Sequence, residues 1–422
     1  MMNLALQIII FVLIFSFFTY ACILADPTTS KLGRLCTKTI PSSSYRILER
    51  TLGKKHLTKI SKLLLDHGLQ IFYLIVVLGS WSIVFTYGYT EMDNYSNYVH
   101  PHHKYYGYVM FVTCMGSWHY ACSVGPGNVT SRTIPLFDHY EYDNILYTNK
   151  LCPTLQIRKI ARSKYDRFSG RHVPRFDHFC GWLNQAVGER NYRWFLLFLA
   201  VHVFMCGYGT WAMGTVLYGE IMEKKLFDAT FFNAVTGAEV KANNIIVIHY
   251  LFNRHFQICG VTLLMSVMLV MLSIFFGFHL YITSRNMTTN EFYKWRSVVR
   301  WHKRERKKYE DALKDGKVVG SKSNAGILSK QVTDGDVGCT GMTADDSSSD
   351  VIADDAIVDP GPMPENIYNK GIIANFLEVL FPLSMQDEAI ERLRASLREC
   401  SNKDSSKQNC PPAEKVSKPK VI

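Results

Sequence analysis

The stretch RHVPRFDHFCGWLNQAVGERNYRWF, Arg171–Phe195, places Asp177, His178 and Cys180 within four residues. It then runs straight into an uncharged apolar block, Trp194–Tyr218. A thiol is a nucleophile as thiolate, and a nearby imidazole can take its proton. A carboxylate can fix the imidazole tautomer and balance its cation. Residues two apart share one face of an extended strand, so a strand here would put His178 beside Cys180. Asp177 would then need a turn to reach His178. Arg158, Lys159, Arg162, Lys164, Arg167, Arg171 and Arg175 surround the set, which favours thiolate and would attract phosphates. From residue types and D-x-x-C spacing alone, a juxtamembrane loop with a basic face against lipid headgroups is the better reading. The stretch combines possible covalent chemistry with the edge of a bilayer.

Working outward, four more blocks lack Asp, Glu, Lys and Arg: Leu4–Leu24, Leu69–Tyr89, Tyr105–Gly125 and Phe256–Thr283. Each reaches the roughly 20 residues that cross about 30 Å of hydrocarbon. Tyr105–Gly125 is the weakest, with three glycines and His119. The expected fold class is therefore an α-helical polytopic membrane protein with about five transmembrane helices and an irregular loop domain between spans 3 and 4. The net charge of +11 across 422 residues follows the membrane and does not mark a nucleic-acid binder. Asp26–Gly68 holds nine Lys/Arg and Pro126–Arg193 holds eleven, against one in Thr90–Lys104 and four in Gly219–His255. The alternation is the positive-inside pattern, so the rich loops and the tail are expected in the cytosol and the N-terminus in the lumen. Leu4–Leu24 reads as an anchor or as a cleaved signal peptide ending near Ala25; the missing basic n-region favours the anchor. Of eleven cysteines none falls in a lumenal loop, so no disulfide framework is expected. No expected span carries a charged residue, which removes the usual support for a channel or transporter.

After the last block, Thr288 and Glu291 have the spacing of a capping box that opens a helix. Phe292, Trp295, Val299 and Trp301 among many Lys/Arg suggest an amphipathic helix on the anionic leaflet. Ser321–Pro364 is rich in Ser, Gly and Asp and too polar to order itself. Asn366–Leu383 is apolar again and too short to span, so it should dock on the cytosolic face. The expected organisation is an anchor at 1–25, a basic linker at 26–68, a transmembrane hairpin at 69–125, and the loop domain at 126–193. A second hairpin at 194–283, a basic helix at 284–320, an acidic linker at 321–365, a docking motif at 366–383 and a mobile tail at 384–422 follow.

ARSK at 161–164, RFDHFC at 175–180, GWLN at 181–184 and VGERNYRWF at 187–195 resemble the DHHC protein S-acyltransferases. Thr288-Thr289-Asn290-Glu291 matches that family's Thr-Thr-x-Glu motif, Gly125-Pro126-Gly127 sits where it has Asp-Pro-Gly, and Asn375 falls at its recurrent C-terminal Asn. The resemblance implies four core spans around an acyl chain and transfer of palmitate from palmitoyl-CoA to cytosolic cysteines of client proteins. Cys180 would carry the acyl group, His178 would be general base and Asp177 its partner. Thr288, Thr289, Glu291 and Asn375 would be motif residues. Palmitoyl-CoA is substrate, with no tightly bound cofactor. Partners are client proteins with juxtamembrane cysteines and the bilayer; nucleic acid is not among them. The family-level location is the endoplasmic reticulum or Golgi.

The family's loop holds two structural zinc ions, each needing four ligands. The matching positions here are Cys152, Leu155, Tyr165 and His172 for one site, and Asp166, Ser169, Phe179 and Ala186 for the other. Only Cys152, His172 and Asp166 could ligate, so zinc is not expected. Tyr165, Phe168, Phe176, Phe179 and Trp182 are expected to form an apolar cluster in its place. The retained Asp-His-Cys set favours an enzyme. The lost ligands leave a second reading, a catalytically silent membrane adaptor that binds clients or a partner acyltransferase.

Overall fold

The structure is a computed structural model that describes residues 54–232, 237–315 and 359–404. The helices in the first part are α1 (Lys54–Ile83), α2 (Tyr89–Asn94), α3 (His103–Ser123) and α4 (Ile134–Phe137). A π-helical stretch, Val84–Gly88, joins α1 to α2. Six short strands follow: β1 (Lys150–Leu151), β2 (Arg158–Lys159), β3 (Lys164–Asp166), β4 (Arg171–Val173), β5 (His178–Cys180) and β6 (Gln185–Val187). Then come α5 (Tyr192–Glu223), β7 (Thr230–Phe232), β8 (Glu239–Lys241), α6 (Asn244–Arg254), α7 (Phe256–Ser284), α8 (Thr289–Lys314), α9 (Ile372–Leu380) and α10 (Asp387–Asp404). The strands pair only as four antiparallel hairpins, β1–β2, β3–β4, β5–β6 and β7–β8.

Among the described residues, three helices are long and apolar enough to cross a membrane: His67–Asn94, α5 and α7. The molecule is a mostly helical membrane protein. Helix α3 covers the expected span Tyr105–Gly125 and has 21 residues, but it falls outside that class because Lys104, Ser117 and His119 dilute its apolar face. The expected first span, Leu4–Leu24, and residues 321–358 of the acidic linker lie outside the described residues.

The described residues form two compact units. One combines the chain up to Val109 with Cys206–Val267. Its core is Leu226, Val247, Leu251 and Cys259. Helix α5 runs past the expected end at Tyr218 and so brings in a carboxylate, Glu220, which is buried. Glu220 accepts hydrogen bonds from Tyr95, Tyr250 and His255 and pairs with Lys224 at 2.7 Å. A buried carboxylate persists when hydrogen-bonded and paired, and this set ties α5 to the segments around Tyr95 and Tyr250.

The other unit combines Met110–Met205 with the chain from Met268 onward. One apolar cluster in it joins Leu146, Tyr147 and Ala161 to Trp295, Val298 and Trp301 of α8 and to Tyr368. The apolar face of α8 therefore packs on protein, not on a leaflet as its amphipathic pattern suggests. The capping box does form: Thr288 accepts from the Glu291 amide at 3.2 Å and Glu291 accepts from the Thr288 amide at 2.9 Å. Where a mobile tail from 384 is expected, the chain forms α10, and only 405–422 fall outside the described residues. Gly127 has φ +99°, and a Cβ there would lie 2.9 Å from both Phe137 and Pro174. Only glycine takes this conformation readily, which fixes the approach of the Gly125-Pro126-Gly127 turn to the turn before Asp177.

Candidate functional site

Strand β5 puts His178 and Cys180 on one face, as their spacing implies, with His178 opposite Val187 and Cys180 opposite Gln185. A turn at Pro174-Arg175 precedes Asp177. His178 Nδ1 and Asp177 Oδ2 are 2.6 Å apart. A second element completes the carboxylate. The Thr289 amide donates to Asp177 Oδ1 at 2.6 Å and the Thr289 hydroxyl donates to Oδ2 at 2.8 Å. Thr289 is the first residue of α8, so Asp177 also lies at a helix N-terminus, where negative charge is favoured. Burial alone would raise the Asp177 carboxyl, but the bond from His178 and the Thr289 amide hold it below its ordinary value. Burial opposes an imidazolium at His178, yet the bonds to Asp177 and Cys180 outweigh it and raise the His178 pKa. His178 is thus a strengthened proton acceptor on the same strand face as the Cys180 thiol.

The other motif residues act around this centre. Glu291 is buried and accepts from Arg162 Nε at 2.8 Å and Nη2 at 2.7 Å, a bidentate pair. Burial would raise the Glu291 carboxyl; Arg162 lowers it. Asn375 donates to the Ser284 carbonyl at 2.8 Å and accepts from the Lys370 amide at 3.0 Å, which seats α9. Sequence reasoning missed the partners on this side. Glu378 pairs with Arg162 at 3.8 Å, with Arg175 at 3.7 Å and with Lys370 at 3.1 Å. Its carboxyl falls to about 2, because Arg175 and Arg162 outweigh burial. Asn286 accepts from both arginines and donates to Glu378 and to the Tyr368 carbonyl. No single position in the sequence signals such a nest.

These contacts correct the expectation that all the nearby basic residues attract phosphates. Arg162 and Arg175 are buried in ion pairs, and Arg158 pairs with Asp138. The cations that line the cavity beside Asp177 and His178, about 1090 Å³, are Lys150, Lys159, Lys164 and Arg167.

The candidate zinc ligands are not brought into a site. Cys152 and His172 are buried, and neither ring nitrogen of His172 has a hydrogen-bond partner. Burial and then Lys159 lower the His172 pKa to about 4, so the ring is neutral. Leu155 and Tyr165 offer nothing that suits structural zinc. The Asp166 carboxylate accepts from the Ser169 amide at 2.9 Å, and Phe179 pairs across the hairpin with Ala186. Among the described residues the one group of three or more His, Cys, Asp or Glu side chains spaced for a metal is Asp177, His178 and His279. The donor set does not fit two structural zinc ions. Phe179 stacks on Phe168 at 4.8 Å and packs against Val173, Phe176 and Ala186. The expected aromatic cluster thus forms in part and recruits Val173 and Ala186. Trp182 is 41% exposed, and its carbonyl accepts from the Trp118 indole.

Residues 145–296 match the family model described as DHHC palmitoyltransferase. Among curated proteins, the chain is 31% identical over 184 residues to Palmitoyltransferase ZDHHC4 of Mus musculus, covering 43% of this chain and 53% of that protein. It is 28% identical over 340 residues to Palmitoyltransferase SWF1 of Yarrowia lipolytica, covering 74% of this chain and 82% of that protein. The chain thus spans about half the length of the mouse relative. Asp177, His178 and Cys180 all lie inside the matched region, and residues 145–296 of the chain are similar to the DHHC palmitoyltransferase family.

Proposed function

We propose that this protein is a protein S-acyltransferase that moves palmitate from palmitoyl-CoA to cytosolic cysteines of client proteins through acyl-Cys180. The observation that carries the reading is the chain Thr289–Asp177–His178, bonded at 2.8 and 2.6 Å with Cys180 on the same strand face. His178 takes the Cys180 proton. The thiolate sulfur then bonds to the thioester carbonyl carbon, the carbon–sulfur bond to CoA breaks, and His178 returns the proton to the departing CoA thiolate. The second transfer repeats the sequence with a client thiol as nucleophile and Cys180 as leaving group. Asp177 and Thr289 keep His178 oriented throughout. Lys150, Lys159, Lys164 and Arg167 suit the CoA phosphates in the adjoining cavity. No observation favours the silent-adaptor reading.

Five spans, a lumenal N-terminus, a cytosolic loop domain and an endoplasmic reticulum or Golgi location belong to the same proposal, supported by the alternation of Lys/Arg among the loops. Protease protection should place an N-terminal tag in the lumen and a C-terminal tag in the cytosol; two cytosolic tags would remove the fifth span. The loop domain folds without structural zinc, a reading supported by the apolar packing of Phe179 and Ala186, the unbonded His172 and the backbone hydrogen bond to Asp166 at the ligand positions. Purified protein should hold well under one zinc per chain, and elemental analysis finding two would refute this. The deciding experiment gives purified protein a clickable palmitoyl-CoA analogue. Hydroxylamine-sensitive label should appear on Cys180, and folded wild-type protein that stays unlabelled would overturn the enzyme reading.

A further inference from the structure

His279 lies on α7, five residues before the end of that helix, and is fully buried. Its ring lies among Phe195, Phe275 and Phe278, with centroids at 4.9, 4.7 and 5.5 Å. The ring also lies 5.8 Å from that of His178. A nitrogen of His279, one of His178 and an oxygen of Asp177 all fall within 4.8 Å of one another. Nothing in the acyl-transfer steps above uses this third group.

Its hydrogen bonding is one-sided. Nδ1 sits 3.0 Å from the Tyr192 hydroxyl, which sits 3.1 Å from the Thr283 hydroxyl. Nε2 is buried and has no partner. A phenol is a stronger donor than an alcohol, and a neutral imidazole nitrogen is a stronger acceptor than a phenol oxygen. The best pairing runs Thr283 to Tyr192 to Nδ1, which leaves the ring proton on Nε2. That N–H is held by packing on three aromatic rings and aligned by a two-hydroxyl relay, yet it donates to nothing. An unsatisfied buried donor costs stability unless a further ligand satisfies it.

We propose that His279 is a further catalytic residue whose Nε2–H receives the thioester carbonyl oxygen of the acyl-CoA and stabilises the oxyanion when Cys180 attacks. The inference rests on the acyltransferase reading. As the Cys180 sulfur bonds to the carbonyl carbon, the carbonyl π electrons move to oxygen, and the N–H donates to the negative charge. On collapse these electrons re-form the carbonyl, and the bond to the CoA sulfur breaks with its electron pair leaving on sulfur. The proton stays on His279 throughout, so His279 does not compete with His178 for the base's role. A preorganised donor in a water-poor site is where such stabilisation is largest.

The test has two arms on full-length protein. In Cys180→Ala protein loaded with palmitoyl-CoA carrying carbon-13 at the carbonyl, isotope-edited infrared should show the thioester band at lower frequency than in the Cys180→Ala/His279→Phe double variant. His279→Phe fills the ring's place without a donor, and a retained melting temperature shows that it folds. In the otherwise wild-type chain, His279→Phe should slow acyl-Cys180 formation by roughly 100-fold with little change in half-saturating palmitoyl-CoA. His279→Gln, which keeps an N–H, should recover part of that rate. An identical band position in the two Cys180→Ala proteins would overturn the proposal, as would wild-type labelling by His279→Phe. A band shift in a chain that never labels would support the hydrogen bond while sinking the acyltransferase reading. No bound thioester band at all would sink both.

Discussion

At the head of hairpin β5–β6, both oxygens of Asp177 accept hydrogen bonds, from His178 and from both donors of Thr289. In hairpin β3–β4, His172 is fully buried with neither nitrogen bonded, and across the segment Phe179 stacks on Phe168 where a ligand would be. The two hairpins belong to one irregular segment and have no sheet in common. On the proposed acyltransferase reading, one keeps its polar groups because the reaction uses their charge and proton affinity. The other has an unbonded His172 and the apolar packing of its Phe168 and Val173 against Phe179, and the Arg162–Glu291–Glu378 nest lies in the same unit. A scaffold can change its chemistry when another source of cohesion is near, whereas a proton relay is tied to its atoms.

Substitutions in the two hairpins should therefore fail in different ways. The largest effect is Cys180→Ser, which should abolish hydroxylamine-sensitive acylation while the melting temperature holds; surviving label would assign the signal to another thiol such as Cys152. Next is Glu291→Gln. It strips Arg162 of its bidentate partner in a buried site, and removing one member of such a pair costs about 3–5 kcal/mol. Thermal unfolding in detergent should register the loss before any specific-activity change in the surviving folded fraction. His178→Ala should slow acyl-enzyme formation by roughly 100-fold, the usual scale of a lost general base, with unaltered stability. A rate effect under threefold would mean that another group takes the proton.

For His172 in the other hairpin, and for Phe179 on the apolar side of β5, the effects should be on folding alone. His172 binds its proton in the unfolded chain near 6.5 but in the folded protein only near 4. The unfolded state therefore holds more protons between those values, and stability is lost as pH falls from about 6.5 to 4. That loss is on the order of 3 kcal/mol. His172→Gln should flatten this slope; a slope unchanged by the substitution would place its origin elsewhere. Smallest is Phe179→Ala. The ring is half-buried against an 82% exposed Phe168, so the cost should be about 1 kcal/mol, with the specific acylation rate unchanged. A rate loss larger than the stability loss would show that the ring positions His178 after all.

The apolar blocks and the Asp-His-Cys set were legible because each is a local pattern: an uncharged run of sufficient length, or three residue types at strand spacing. The capping box at Thr288 and Glu291 was legible for the same reason. Its second use was not. That Thr289 would also hold Asp177 depends on a contact between residues 112 apart, and spacing carries no trace of it. Arg162 and Arg175 looked like surface cations because their partners, Glu291 and Glu378, lie far along the chain. Trp295 and Trp301 looked like leaflet anchors because an amphipathic stripe does not state what covers it; here Leu146, Tyr147 and Tyr368 do. His279 read as one more residue in an apolar run, and only its orphaned nitrogen singles it out.

The tie between Asp177 and the start of α8 has a consequence for synthesis. A ribosome delivers Asp177, His178 and Cys180 well before Thr289, and Thr289 well before Glu378. Until then the carboxylate that orients the base lacks two of its three donors, and Arg162 and Arg175 have no acids to bury against. On the acyltransferase reading, a nascent chain that has exposed Cys180 still lacks the two Thr289 donors to Asp177, and Arg162 and Arg175 gain Glu378 only once α9 has been made. The order of translation would then leave Cys180 without its oriented base until these later residues are in place.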